Sequence, residues 1–405
     1  MNIPTGPASG MSTVTYLSMD PLTGTVGSSQ VLRYVLRLAH RGFDVDLITF
    51  EHSVDPVVLE NLVELGVRWR PQRFGRKGSV GGLGRVVRAA RVIRGAAAVH
   101  ARSDMAAASV MLAGIGRWVW DVRSLWVDQK IATGVVRSGS LQESVMRHVE
   151  RRAAYRSTRV TALTESAIHE LDHRYEGVVS PKARVVTTCT DLDQFRFTPM
   201  PSLPLKVLLA GTLNRYYDVH LMLDLVAEFR RRGPVEFIVA SPGETDWEKE
   251  LTGVGAVRVS AKPEEMADLV SSCHVGLSVC RDDAGPSLRA AMPTKIGEFL
   301  ASGRPVIVNP GLVDAAGLLE RHGCGVAFGR SGGLEVVEAA NQVEELVAEP
   351  RTPERCRLLA ESHFDLDQGV DQLVEIYEEL GAETGSPPAL DLDRVTPGSD
   401  MRCRL

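Results

Sequence analysis

The stretch "PTKIGEFLASGRPVIVNPG", residues 293–311, sets one lysine, Lys295, and one acid, Glu298, on a short helix-like run. Pro293 and Thr294 open that run, Gly303 closes it, and an apolar run from Pro305 to Val308 follows. A helix start offers unpaired amides and a positive dipole end to an anion. A carboxylate on the helix face can accept hydroxyl hydrogen bonds. The same pattern equally suits an ordinary surface helix packed between two strands. A second stretch, "AGTLNRYYD" (210–218), joins a strand to a helix. Gly211 there permits a tight turn or a close backbone approach to a ligand, and Arg215 is either a cation over that ligand or a plain surface arginine. A third, "TVGSSQ" (25–30), opens a helix after the first strand. Its small residues, Gly27 and Ser28 included, suit an anion or sugar near the backbone, or an N-cap by Ser28 or Ser29. "GLGRVVRAA" shares two glycines with a dinucleotide fingerprint, but its third position is Arg and no strand feeds it directly, so a cofactor role there is set aside.

These stretches need elements to place them. Apolar residues alternate in "FDVDLITF" (43–50), a strand pattern, and recur at helical spacing in "SQVLRYVLRLAHRG" (29–42). Strands and helices go on taking turns to about residue 189, then break at the proline-rich "FRFTPMPSLPLK" (195–206), which reads as an interdomain linker. Alternation restarts at "LKVLLAG" and runs to helices near 334–348 and 353–380. This predicts an α/β chain with two Rossmann-like, doubly wound domains facing a central cleft. Ligands in such sheets bind at the carboxyl ends of strands. The expected boundaries are a disordered start over 1–12, a first domain over 13–198, a second over 199–365, a closing helix over 366–382 that packs back on the first, and a disordered tail over 383–405.

A length of 405 residues suits two domains, and 44% hydrophobic with 24% charged residues is ordinary for a soluble globular protein. A net charge of −5 argues against bulk nucleic-acid binding. Six cysteines, none in a CxxC pair, suggest reduced thiols in a cytoplasmic protein and disfavour zinc. No apolar run reaches the roughly 18–20 residues that span a bilayer, and "MNIPTGPASGMST" lacks the basic start and apolar core of a secretory signal.

"GTLNRYYD", "KPEEMADLVSSCHVGLSV" and "PTKIGEFLASGRPVIVNPG" together resemble the donor half of the family-4, GT-B-fold, retaining glycosyltransferases. "GSSQVLRYVLRLAHRGFDVDLITFE", "VHARS", "WDVRSLWVDQKIATG" and "VVTTCTDLDQF" match a branch of that family in order and spacing, so the resemblance covers roughly residues 13–380. It implies that Glu298 binds the ribose hydroxyls of a GDP- or UDP-linked sugar. The turn from Ala291 to Lys295, with Pro293 and Thr294, presents amides to the diphosphate. Lys295 and Arg215 carry positive charge to the leaving nucleotide, Gly211 and Thr212 line the donor, and Ala261 and Lys262 flank the base. Asn309 and Asp314 are weaker candidates for the same cleft. On the acceptor side it points to Gly27, Ser28, His100, Arg102 and Asp128, with Arg123 where a catalytic histidine often sits. For His100 a structural role at a strand end stands beside the functional one.

The chain departs from the pattern at three places. Ala290 stands where the family often has a second glutamate that contacts the donor sugar, Thr212 where it has an arginine, and Tyr217 where it has a lysine. Arg215 is the candidate replacement for the two cations. Without a DxD-like or His/Cys cluster at a strand end, metal independence is expected, with no cofactor beyond the sugar nucleotide. Retention, and attack from the leaving-group face with a phosphate oxygen as base, come from the resemblance alone. From Val67 to Ser103 there is no acid, and Arg85, Arg88 and Arg91 share a helix face within the basic run 68–94. That run is an anionic membrane surface's partner at the inner membrane face, a site for an anionic soluble acceptor, or a solvated face. Three readings stand: transfer to a small molecule or secondary metabolite, assembly of a cell-surface glycan or glycolipid at the membrane, and a catalytically inactive GT-B binding protein. Oligomeric state is left open.

Overall fold

A computed structural model of the chain describes residues 13–381 except Glu244. The disorder expected over 1–12 and 383–405, and Cys403, lie outside the described residues.

The first seven strands are β1 (Val14–Ser18), β2 (Val45–Glu51), β3 (Arg68–Arg73), β4 (Ala98–Arg102), β5 (Trp118–Val122), β6 (Arg159–Ala162) and β7 (Ala183–Val185). They form one parallel sheet in the order β3-β2-β1-β4-β5-β6-β7. Six more make a second parallel sheet: β8 (Leu205–Ala210), β9 (Val235–Ala240), β10 (Val257–Val259), β11 (Val275–Ser278), β12 (Val306–Val308) and β13 (Gly325–Ala327). Their order is β10-β9-β8-β11-β12-β13. Helices cover both faces, so the central strands are buried along their whole length and read as apolar runs. In each sheet the strand order reverses once, between β1 and β4 and between β8 and β11. A crevice opens at the carboxyl ends of the strands at such a reversal.

The proline-rich segment is not a loose spacer. Phe195 is fully buried, and the buried guanidinium of Arg304 donates to the backbone oxygens of Thr198, Pro199 and Ser271 at 2.9, 2.9 and 2.6 Å. The helix expected over 353–380 is two, Thr352–His363 and Leu366–Glu379. The break has a cause: Thr190 donates its amide to Phe364 O at 2.7 Å and accepts from Leu366 N at 3.1 Å. Asp365 then caps the last helix through Asp367 N at 3.0 Å. That last helix returns to the first sheet, where Leu373, Ile376 and Tyr377 share a buried cluster with Val14, Tyr16 and Val119.

The two units touch along the strand ends. Thr164 Oγ1 donates to Arg289 O at 2.5 Å, Arg289 pairs with Glu170 at 2.5 Å, and Thr188 Oγ1 donates to Met292 O at 2.7 Å. The irregular helical segment Asp282–Ala290, which no sequence pattern announced, supplies much of this seam.

Candidate functional site

The helix Thr294–Ala301 starts at the carboxyl end of the second sheet, next to the reversal at β8 and β11. Its N-cap is Pro293, so no side chain caps its first-turn amides. Lys295 folds back over the loop that follows β8. Its ammonium lies 4.4 Å from the centre of the Tyr217 ring. A Cβ added at Gly211 would stand 3.5 Å from Lys295 Nζ, and Gly211 itself holds φ +100°, a conformation that favours glycine. Thus Gly211, Lys295 and the open first turn meet in one place. Tyr217, at the family's lysine position, supports the Lys295 cation.

Glu298 lies one helical turn deeper and is half-buried. Burial pushes its carboxyl above the ordinary range, and the charges of Arg33 and Lys295 offset this only in part. Among the described residues its oxygens accept no hydrogen bond, so they are open to a ligand. Arg33 belongs to the facing unit, at the start of the helix Arg33–His40. Gly297 lets this helix close on the crossing chain, since a Cβ there would lie 2.5 Å from Thr190 Oγ1.

The other donor-side residues spread around this point. Thr212 is exposed at the end of β8; Ala261 and Lys262 follow β10, with Lys262 N donating to Glu265 Oε2 at 2.9 Å. Arg215 is three-quarters exposed, and its ion-pair partner is the equally exposed Asp246 at 4.0 Å. As a second cation over the leaving group, Arg215 stays a proposal. Ala290 is fully buried against the first unit's core, in a cluster with Leu125, which leaves no space for a longer side chain. Asn309 Oδ1 is taken by Cys280 N at 2.9 Å, and Asp314 caps the facing helix Glu165–Arg174 through Glu165 N at 2.9 Å.

On the other side, Arg102 ends β4 and Arg123 follows β5. Both meet Gln30. Its Oε1 accepts from Arg102 Nη2 at 2.6 Å and from Arg123 Nη2 at 3.2 Å, while its Nε2 donates across the seam to Thr294 Oγ1 at 2.8 Å. Gln30 and Arg33 were not singled out from the sequence. A neutral amide carries no charge signal, and Arg33 is one of several arginines in an amphipathic helix.

Two acceptor-side expectations are corrected. His100 does not reach the cleft: it is fully buried, stacked on Tyr16 at 4.3 Å, with Nε2 on Asp121 at 3.2 Å and Nδ1 on Tyr377 Oη at 2.9 Å. Both ring nitrogens are spent, which settles its structural reading. Asp128 is clamped by Arg147 at 2.7 and 2.9 Å and by Arg174 at 2.8 Å. Burial works against its charge, and those hydrogen bonds outweigh it and lower its pKa. Gly27 has a packing reason to lack a side chain, because a Cβ would strike Pro21 O at 1.9 Å. Ser28 lies inside the helical turns that begin at Thr25, with its amide on Gly24 O at 2.8 Å, so it is not an N-cap.

Two surface concavities lie away from this cleft. One of about 170 Å³ is lined by Phe74, Arg76, Val80 and Arg85, and one of about 590 Å³ by Arg147, His148, Arg151 and Tyr175. Neither includes Glu298, Lys295 or Gly211. Among the described residues no three His, Cys, Asp or Glu side chains gather as a metal site, and no helix is long and apolar enough to cross a membrane.

No family model matches the chain, and no curated protein matches it by sequence. Solved structures do. HepE from Anabaena, solved in complex with UDP, superposes at a TM-score of 0.65 with 15% identity, over 91% of this chain and 100% of that one. The sucrose-phosphate synthase of Thermosynechococcus elongatus gives 0.66 with 17% identity over 92% and 99%, and the glycotransferase of kitacinnamycin 0.56 with 15% over 91% and 99%. The fold is GT-B. At these identities the likeness is one of fold, and the site above is read from this chain's own residues.

Proposed function

We propose that this GT-B chain transfers a sugar from a nucleoside-diphosphate sugar to a small-molecule acceptor, with retention at the anomeric carbon. The observation that carries the reading is the grouping of Gly211, Lys295, an uncapped helix start and a hydrogen-bond-free carboxylate at one strand-order reversal. Each part has a task. The first-turn amides and Lys295 take the diphosphate, and Glu298 accepts the two ribose hydroxyls side by side. As the anomeric bond breaks, negative charge builds on the diphosphate, where the ammonium and the helix dipole already stand. With these cations present, the transfer needs no metal, and a phosphate oxygen acts as base for the incoming hydroxyl. Residues 13–198 then hold the acceptor and 199–365 the donor, and their approach excludes water. UDP is the preferred nucleotide, since HepE has been solved with UDP and with UDP-glucose. The reading is tested by titrating UDP, GDP, ADP and TDP and following melting. One nucleotide should raise it clearly, and Glu298→Ala and Lys295→Ala should each weaken that effect. No shift with any of them would end the donor assignment.

One observation favours the membrane variant of this activity. On the helix Gly78–Val92, Val80 and Leu83 are 81% and 66% exposed beside Arg91. Arg85 and Arg88 are partly occupied, donating to Phe74 O, Arg76 O and Arg73 O at 3.4, 3.1 and 2.7 Å. Co-sedimentation with anionic vesicles at low salt, lost at high salt and in Val80→Asp, would favour a peripheral enzyme at the inner membrane face over a cytoplasmic one.

A further inference from the structure

Elsewhere in this protein, pairs of arginines converge on carboxylates. Arg147 and Arg174 converge on Asp128 and Glu150, and Arg231 and Arg232 converge on Glu228. Arg102 and Arg123 break that pattern. Their side chains are 4% and 12% exposed, and the two guanidinium groups converge on a neutral oxygen, Gln30 Oε1. Two like charges directed at one amide oxygen form a weaker arrangement than the same two donors on an anion. The Nε–H of each is also buried without a partner.

The neighbouring acids pair with the two Nη1 atoms and leave the converging Nη2 atoms on the amide oxygen. Asp121 lies 3.6 Å from Arg123 Nη1 and is shared with His100 Nε2 and Thr161 Oγ1. Asp20, on the loop after β1, pairs with Arg102 Nη1 at 3.2 Å and is 46% exposed. The place itself is a binding position by topology: the loop after β1 and the end of β4 flank the strand-order reversal of the first sheet. Ser103, directly after Arg102, holds φ +90°, which costs a non-glycine residue free energy and fixes where that strand ends. Across the seam, Gln30 Nε2 touches Thr294 Oγ1 in the first turn of the candidate diphosphate helix.

We propose that Arg102 and Arg123 form an anion subsite for the acceptor, in which a carboxylate or phosphate oxygen of the acceptor displaces the Gln30 side-chain oxygen and takes both guanidinium groups. The inference rests on the sugar-transfer reading and deepens it by naming the acceptor's chemical class. It seats the acceptor beside Thr294, where its hydroxyl can reach the donor's anomeric carbon. The anion is a phosphate or carboxylate oxygen, and its source is the acceptor, not the donor's own diphosphate.

The test uses the full chain, inorganic phosphate as probe, chloride at matched ionic strength as control, and melting as readout, with and without saturating UDP. Phosphate should raise melting beyond chloride even when UDP fills the donor site. Gln30→Glu places a carboxylate between the two arginines, so it should melt higher than the parent and lose the phosphate response. Arg123→Gln should bind phosphate about tenfold or more weakly while keeping its UDP shift. The proposal is overturned if Gln30→Glu melts lower and still responds to phosphate, or if UDP abolishes the phosphate shift, which would assign that anion to the diphosphate helix. Loss of UDP binding in Arg123→Gln to the extent seen in Lys295→Ala would overturn it too, by making the donor the source. A missing UDP shift sinks the sugar-transfer reading alone, because Gln30→Glu against phosphate reads the subsite without it.

Discussion

Replacing Glu298 by Gln separates a binding carboxylate from a structural one. In the free protein the carboxylate is shielded, unbonded and held above its ordinary pKa by burial, with Arg33 and Lys295 only partly compensating. A neutral amide of the same shape should therefore leave the unliganded fold as stable as before, or slightly more so. Binding behaves in the opposite way. Glutamine accepts through one oxygen and without charge, so one charge-assisted hydrogen bond is lost and the other weakened, together about 3 kcal/mol. That is about a hundredfold in Kd. At a UDP concentration of about 100 Kd the parent gains ~2.7 kcal/mol, which is about 5–10 °C of melting temperature for a unit of this size. The variant at the same concentration keeps ~0.4 kcal/mol, about 1 °C. Scanning fluorimetry with and without UDP, at about pH 8 where carboxylates are ionised, reads both quantities in one experiment. A variant that keeps the full UDP shift, or that unfolds several degrees lower without ligand, would refute the assignment of Glu298 to the ribose.

Further outcomes follow from the same geometry. Because the Glu298 pKa is raised in the free protein and ribose hydroxyls favour its ionised form, UDP affinity should fall as pH drops through that pKa; calorimetry should find proton release on binding there, absent in Glu298→Gln. Burial and the Glu150 charge push Asp104 up to about 8, so its contribution to stability is complete below its unfolded pKa and is lost as pH rises through about 8. Asp104→Asn, which still accepts from Trp120 Nε1, should flatten the decline in denaturant stability expected of the parent between about pH 4 and about pH 8. Gly297→Ala drives a methyl to 2.5 Å from Thr190 Oγ1 and 3.2 Å from Phe364 Cβ. It should cost about 1–3 kcal/mol, and adding Thr190→Ala should return part of that loss in a double-mutant cycle by chemical denaturation.

The element order was legible in the sequence because most strands and helices announce themselves within a few residues, by an apolar run or a helical spacing; the segment Asp282–Ala290 does not. The short helix at 294–301, with its proline-led start and its single lysine and glutamate, was legible for the same reason: what makes it a candidate anion site is local to the backbone. Its identity as a helix between two strands says nothing of what it faces. Strand order was decided only in three dimensions, and with it the two reversals that put Gly211 beside Lys295 and Gln30 beside Arg102. His100 and Asp128 misled for a related reason. A polar residue inside a strand, as His100, or in the helix that follows one, as Asp128, looks the same in sequence whether it meets solvent or a partner, and their partners, Tyr377 and Arg174, arrive from distant parts of the chain. Arg215 carries the charge its proposed role requires, and its partner is the exposed Asp246. Composition and periodicity fix what each segment can form. Long-range hydrogen bonds and burial decide which charged groups are spent on the fold and which, like Glu298, hold no hydrogen bond among the described residues.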